Sequence, residues 1–109
     1  MISRRSATMM GAAVIAAALF GGHARAETVT VAIANFTFEP AELTVAAGTT
    51  VTFRNDDDIP HLVVASDGSF RSKALDTGDS YSFNFTKAGE YGYFCALHPH
   101  MVGKVVVKP

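Results

Sequence analysis

The chain has 109 residues, a formal net charge of −1, a single cysteine and no tryptophan. This length allows one small domain, one cysteine excludes an intrachain disulfide, and the slightly acidic balance argues against a nucleic-acid-binding protein. A domain of this size without disulfides is close to the limit for folding on its own.

The first 26 residues have the features of a secretory signal peptide. Arg4 and Arg5 form a basic segment, residues 9–20 are apolar, and residues 24–26 read Ala-Arg-Ala, a cleavage signal. The apolar run is too short to span a membrane stably. Cleavage would remove three arginines and no acidic residue, so the formal charge would change from −1 to −4. We expect a periplasmic protein of residues 27–109 with no membrane span, exported by the general or the twin-arginine route.

Short apolar segments, separated by turn residues, follow the expected leader. No helix of three turns can be drawn, and strands at a spacing of about 8–12 residues predict an antiparallel β-sandwich or barrel of seven or eight strands. Residues 66–79 are expected to be irregular, with one helical turn near 73–75. The segments that we expect to form strands are 28–33, 43–45, 50–54, 61–65, 81–85, 91–95 and 103–107.

The short loop from Cys95 to Met101 carries the side chains that suggest chemistry. It places a thiol, the His98 imidazole and a thioether at positions i, i+3 and i+6. One cysteine, two histidines and a weakly bound methionine are the ligands of electron-transfer copper sites. His61, at the start of an expected strand, is the candidate for the second histidine. A buried, inert cysteine is the alternative, but the spacing and the danger of exporting a lone thiol favour metal binding.

From residue 28 to residue 107, the sequence resembles the cupredoxins, the small blue copper proteins, and in particular their amicyanin and plastocyanin-like branch. Two residues separate the cysteine from the histidine and the histidine from the methionine, as in the short ligand loop of amicyanin. The resemblance implies an all-β, Greek-key β-sandwich or barrel of about seven to eight strands. The motifs that carry it are Pro60-His61, residues 88–95, Cys95-x-x-His98-x-x-Met101 and Gly103-x-Val105.

The resemblance also implies a metal site with one copper ion that cycles between Cu(I) and Cu(II). His61, Cys95 and His98 would be its equatorial ligands, and Met101 its axial ligand. His98 would lie nearest the surface, within an apolar patch where redox partner proteins dock. Leu97 and Pro99 belong to the same segment of sequence and would contribute to that patch.

Two positions depart from the pattern of the family. The residue after the first histidine is often an asparagine that ties the two ligand-bearing segments together, and here it is Leu62. The bracing of the site must then come from other residues. His100 replaces an aromatic residue before the methionine, and it is interpreted as a solvated residue, a partner contact or a competing ligand. The acidic residues 56–58 are interpreted as a solvated turn.

These observations predict a one-electron carrier, expected to be a monomer and not an enzyme. The alternative is a periplasmic copper-binding or delivery protein with the same fold. Delivery proteins commonly use several methionines, whereas three of the four methionines here lie in the expected leader and only Met101 follows it. A metal-free β-sandwich used for adhesion is a third interpretation, which would make the spacing of Cys95, His98 and Met101 accidental.

Overall fold

The computed structural model describes residues 27–109, and this part of the chain forms eight β-strands and no helix. The predicted signal peptide and its cleavage site lie outside the described residues and stay predictions. Between residues 27 and 109, no helix is long and apolar enough to cross a membrane. The strands are β1 (Thr28–Ala34), β2 (Thr37–Glu39), β3 (Glu42–Ala46), β4 (Thr49–Asn55), β5 (Val64–Ala65), β6 (Ser80–Phe85), β7 (Gly89–Cys95) and β8 (His98–Lys108).

One sheet has the strand order β2–β1–β4–β6. β1 pairs antiparallel with β2 and parallel with β4, and β4 pairs antiparallel with β6. Alternate residues of β4 point into the molecule, and Val51 and Phe53 are fully buried, as their period-two spacing predicts. This sheet supplies one face of the core.

The other sheet has the strand order β3–β8–β7–β5. β8 pairs antiparallel with β7 and parallel with β3. The predicted all-β sandwich is confirmed, but its antiparallel arrangement is wrong for the pairs β1–β4 and β3–β8, which are parallel. Neither pair is joined by a hairpin, and the chain passes from one sheet to the other between β2 and β3. The local alternation of residues does not report such long-range pairing.

The strand limits differ from the predicted ones mainly near the candidate ligands. β5 contains two residues instead of the expected five, and β8 begins at His98, so the expected ligand loop merges into the last strand. The expected helical turn near residues 73–75 is absent. Its place is taken by isolated β-bridges, which pair His61 with Leu75 and Val64 with Arg71.

The core between the sheets is rich in aromatic rings. Tyr93 packs edge-on against Phe38 and Phe53, with ring centroids 4.8 and 5.1 Å away. Burial of aromatic rings of this size contributes much of the stability of a small domain. The candidate ligands lie beyond these rings, at the end of the sandwich where β1, β4 and β7 end and β8 begins.

Candidate metal centre

His61 lies in the connection between β4 and β5 and is fully buried. Its main-chain N–H donates to the Leu75 carbonyl over 3.1 Å, and the Leu75 N–H donates back over 2.7 Å. Asn55 organises the start of the same connection, because its side-chain amide donates to the carbonyls of Ile59 and Leu75. The backbone that carries His61 is therefore held on both sides of the residue.

The carboxylate of Asp57 forms a hydrogen bond with the imidazole of His61. Asp57 Oδ2 lies 2.8 Å from His61 Nε2, and the side chain of Asp57 is only 13% exposed. Burial raises the pKa of Asp57, but hydrogen bonds from the Phe36 and Asn35 amides and from His61 outweigh it and leave the pKa below its usual value. An ionised carboxylate only accepts hydrogen bonds, so His61 Nε2 is the donor of this bond, and Nδ1 is the ring nitrogen that faces Cys95 and would bind a metal.

Cys95 is the last residue of β7 and is fully buried. A register shift between Phe94 and Cys95 interrupts the pairing with β8 at this point, and a bulge of this kind redirects a side chain. Cys95 Sγ lies 3.6 Å from His61 Nδ1. The main-chain N–H of Leu62 donates to the same sulfur over 3.4 Å.

His98 begins β8 and is half-buried. Its Nδ1 lies 3.8 Å from Cys95 Sγ, and the metal-binding atoms of His61, Cys95 and His98 all lie within 4.8 Å of one another. Met101, the fourth predicted ligand, belongs to the same strand and is buried, with 4% of its surface exposed. The structure thus brings the two histidines and the cysteine together and buries the methionine in the adjoining core.

The donor set and its geometry fit a metal ion. Ligand atoms at about 2.0–2.3 Å from a shared ion in a trigonal plane lie about 3.5–4 Å apart. Cys95 Sγ lies at such distances, 3.6 and 3.8 Å, from the Nδ1 atoms of His61 and His98. Two imidazoles and a thiol beside a methionine are the ligands of electron-transfer copper sites. His61, Cys95, His98 and Met101 are therefore the residues that would hold the metal.

Two residues near the site, Asp57 and Phe36, were not identified from the sequence. Asp57 was interpreted as part of a solvated turn, which is wrong, whereas its neighbours Asp56 and Asp58 are indeed exposed. Phe36 lies in the turn between β1 and β2, and its ring contacts both His61 and His98. For the contact between Asp57 and His61, the separation of four residues was the only signal in the sequence.

The surface around His98 is apolar. The exposed large hydrophobic side chains among residues 27–109 are Phe36, Leu97 and Val102, with 52%, 51% and 61% of their surfaces exposed. Pro99 and His100 are also exposed. The side chains predicted to form an apolar patch, Leu97 and Pro99, are therefore exposed beside His98, and Phe36, whose ring contacts that of His98, adds to them.

A family model described as a cupredoxin-like domain matches residues 7–107. The amicyanin of Paracoccus versutus is 35% identical over 88 residues, which cover 76% of this chain and 67% of that protein. The chloroplast plastocyanin of Tetradesmus obliquus is 42% identical over 84 residues, which cover 65% of this chain and 58% of that protein.

Solved structures of cupredoxins also resemble this chain. A methionine-to-alanine variant of amicyanin in the Cu(I) form has a TM-score of 0.69 and 38% identity, covering 74% of this chain and 82% of that one. A purple cupredoxin from Nitrosopumilus maritimus has a TM-score of 0.69 and 34% identity, covering 73% of this chain and 99% of that one. The chain belongs to the cupredoxin family, with amicyanins and plastocyanins among its relatives.

Proposed function

We propose that this protein is a periplasmic one-electron carrier with a single type 1 copper ion. The observation that carries the proposal is the convergence of the metal-binding atoms of His61, Cys95 and His98 within 4.8 Å of one another. Membership of the cupredoxins supports copper as the metal, since one related amicyanin structure is of a Cu(I) form. In the proposal, the signal peptide directs the chain to the periplasm, where it acts as a monomer.

The chain's own residues would define the site in the following way. Cys95, His61, His98 and Met101 would hold the copper ion, with the thiolate and the two imidazoles as strong ligands and the thioether as a weak one. A copper ion bound there would supply a single redox centre that alternates between Cu(I) and Cu(II). His61 is fixed by hydrogen bonds on both its backbone and its ring, and Cys95 is fixed at the end of a strand. Ligands held in this way keep one geometry in both oxidation states, which favours rapid electron transfer.

His98 is the ligand through which electrons would leave and enter. It is the histidine of the site that is not fully buried, and two exposed apolar side chains lie next to it, Phe36 in contact with its ring and Leu97 before it in the chain. A weakly bound redox partner would exclude water there without the cost of breaking ion pairs, which suits a transient complex. We propose no enzymatic activity, because the histidines and the cysteine of the site are all assigned to the metal.

Copper delivery is the second candidate function. The observation that favours it is the exposed imidazole of His100, which lies beside the buried Met101 and offers a place to pass a metal ion on. The full burial of His61 and Cys95 favours the carrier, because a delivery site must let its ligands exchange. Met101 is also the single methionine of residues 27–109, whereas delivery proteins commonly use several.

The visible absorption and EPR spectra of the Cu(II)-loaded protein distinguish the two functions. A carrier gives an intense blue thiolate-to-copper band and a narrow copper hyperfine splitting, and Cys95→Ala abolishes both. A pale spectrum of ordinary Cu(II), or binding of Cu(I) alone, contradicts the carrier and favours delivery. Far-UV circular dichroism of the Cys95→Ala variant checks that it keeps its fold.

A further inference from the structure

The turn between β1 and β2 has an unusual backbone. Asn35 and Phe36 both adopt positive φ angles, 54° and 58°, and neither is a glycine. Ala34 pairs with Thr37, so these residues form a two-residue hairpin turn, in which a positive φ at both positions is expected and asparagine is common. Phe36 is the unusual member, because a bulky side chain is strained in this region and persists there only where surrounding contacts hold it. Strain of this kind calls for an explanation in the contacts of the turn.

The carboxylate of Asp57 supplies those contacts. The Asn35 N–H donates to Asp57 Oδ1 over 2.7 Å, and the Phe36 N–H donates to Asp57 Oδ2 over 3.0 Å. Successive backbone amides that point to one side form a concave site for an anion, and here a side chain of the same protein occupies it. The left-handed turn is therefore organised around Asp57.

The same carboxylate holds His61, so one side chain connects the turn to a candidate ligand. Oδ2 lies 2.8 Å from His61 Nε2 as well as 3.0 Å from the Phe36 amide. Asp57 is itself fixed from two sides, since its N–H donates to Asn55 Oδ1 over 2.9 Å and its carbonyl accepts from Thr77 Oγ1 over 2.6 Å. The carboxylate is thus a rigid link.

The turn places the Phe36 ring on both imidazoles. The ring centroid lies 5.8 Å from that of His61 and 5.1 Å from that of His98, with interplanar angles of 89° and 87°. The outer side of this ring faces solvent, since Phe36 is 52% exposed. The side chain therefore covers the two histidines at the surface, at the cost of exposing an apolar ring.

We propose that Asp57 is the positioning residue of the metal site, which binds the ring of His61 and, through the strained turn, holds Phe36 as a cover over both histidines. This inference rests on the proposed copper site. Leu62 lacks the side-chain amide that is often found at this position in the family and braces the site. In the proposal, Asp57 supplies that bracing instead. A carboxylate behind a ligand histidine raises the basicity of the imidazole and fixes its orientation.

The expected effect of Asp57 on copper has a definite sign. Its negative charge stabilises Cu(II) more than Cu(I), so Asp57→Asn weakens Cu(II) binding more than Cu(I) binding. Loss of a hydrogen-bonding partner of this kind costs about 10–100-fold in metal affinity. A tenfold change in the ratio of the two affinities corresponds to a rise of about 59 mV in reduction potential.

The experiment compares Asp57→Asn with Asp58→Asn, in protein purified after expression of the full chain. Asp58 is the exposed neighbour, so the control makes the same change of charge without touching the turn. The readouts are the reduction potential of the copper form and the NMR spectrum of the metal-free form. In the metal-free protein, cross-peaks between the Phe36 ring and the rings of His61 and His98 report the cover directly.

The proposal expects Asp57→Asn alone to raise the potential by about 59 mV or more and to weaken these cross-peaks. The proposal is overturned if Asp57→Asn leaves the cross-peaks unchanged and its reduction potential either equals that of the wild type or shifts only as much as that of Asp58→Asn. If the wild-type copper form lacks a blue band, the carrier function fails, and the metal-free cross-peaks alone decide the role of Asp57.

A second variant keeps the test decisive if Asp57→Asn does not fold. Phe36→Leu retains both backbone amides and the carboxylate but removes the ring. The proposal expects faster relaxation of water protons by the Cu(II) form, because water then approaches the histidines more closely, and an unchanged His61 Nε2–H signal in the metal-free form. Relaxation that matches the wild type contradicts the role of Phe36 as a cover.

Discussion

The main-chain N–H of Leu62 donates a hydrogen bond to Cys95 Sγ over 3.4 Å. This bond joins the segment that follows one candidate ligand to the end of the strand that carries another. It does not depend on the side chain at position 62, so the replacement of the usual asparagine by leucine leaves it intact. A donor that faces a thiolate withdraws electron density from the sulfur and favours the reduced form of a bound metal.

Removal of this donor is therefore predicted to lower the reduction potential of the copper form. Leu62→Pro deletes the N–H, and a tenfold gain in Cu(II) over Cu(I) affinity corresponds to a fall of about 59 mV. Leu62→Ala keeps the N–H and is expected to leave the potential unchanged. Voltammetry of both variants, with circular dichroism as a check of folding, measures the effect. Equal shifts in the two variants contradict the role of the backbone donor.

The sequence predicted the parts of the site that depend on local spacing. Cys95, His98 and Met101 fall within seven residues, and strand β7 delivers the cysteine directly. The alternation of Tyr81, Phe83 and Phe85 likewise located a strand, because a period of two reports a half-buried sheet surface. Patterns of this range can be interpreted without knowledge of the fold.

Asp57 was not predictable in the same way. Its hydrogen-bonding partners in the turn are the amides of Asn35 and Phe36, 22 and 21 residues away, and any residue type has such amides. Beside Asp56 and Asp58, it had the composition of a solvated turn. The parallel pairing of β1 with β4 escaped prediction for a related reason, since it depends on how the chain crosses between the sheets.

Gly103→Ala is predicted to destabilise the fold through a clash with Tyr93. A Cβ atom at position 103 would contact Tyr93 Cζ and Oη and lie 2.7 Å from Cε2, which is closer than such atoms approach. Overpacking of this kind typically costs about 1–3 kcal/mol in free energy of unfolding. Urea denaturation of the metal-free protein measures the change.

Gly92→Ala is the matched control for this prediction. Its Cβ would meet only Ser66 Oγ, at an ordinary distance of 3.6 Å. We expect the free energy of unfolding to change by less than about 0.5 kcal/mol, as for most surface substitutions. A loss at position 92 as large as that at position 103 would mean that both substitutions act on the backbone and not through Tyr93.

Tyr93→Phe is predicted to keep or increase the stability of the fold at neutral pH. The hydroxyl of Tyr93 is buried and has no hydrogen-bond partner among the described residues. A buried polar group without a partner costs about 1–3 kcal/mol, so its deletion removes a penalty. Tyr91→Phe is the contrasting variant, because the Tyr91 hydroxyl donates to the Lys87 carbonyl over 2.7 Å, and its loss is expected to destabilise the fold by about 0.5–1.5 kcal/mol.

The same tyrosine is predicted to make the stability fall in alkaline solution. Burial raises the pKa of Tyr93 above its ordinary value of 10.0. The folded state then keeps a proton that the unfolded state releases, so the contribution is complete below pH 10.0 and declines as the pH rises above it. Urea denaturation between about pH 9 and 11 should show a steeper loss for the wild type than for Tyr93→Phe. Parallel curves for the two proteins would contradict burial of the phenol as the cause.

Truncation of His98 is predicted to remove the stabilisation by Cu(II), whereas truncation of His100 is predicted to preserve it, although only one residue separates them. His98 Nδ1 lies 3.8 Å from Cys95 Sγ, whereas His100 is exposed. A metal at 1,000 times its dissociation constant stabilises a folded protein by about 4 kcal/mol, and this gain disappears when a ligand is lost. We therefore expect His98→Ala to abolish most of the rise in melting temperature on addition of Cu(II), and His100→Ala to preserve it together with the blue band. A loss of both in His100→Ala would instead make His100 a ligand and favour copper delivery over electron transfer.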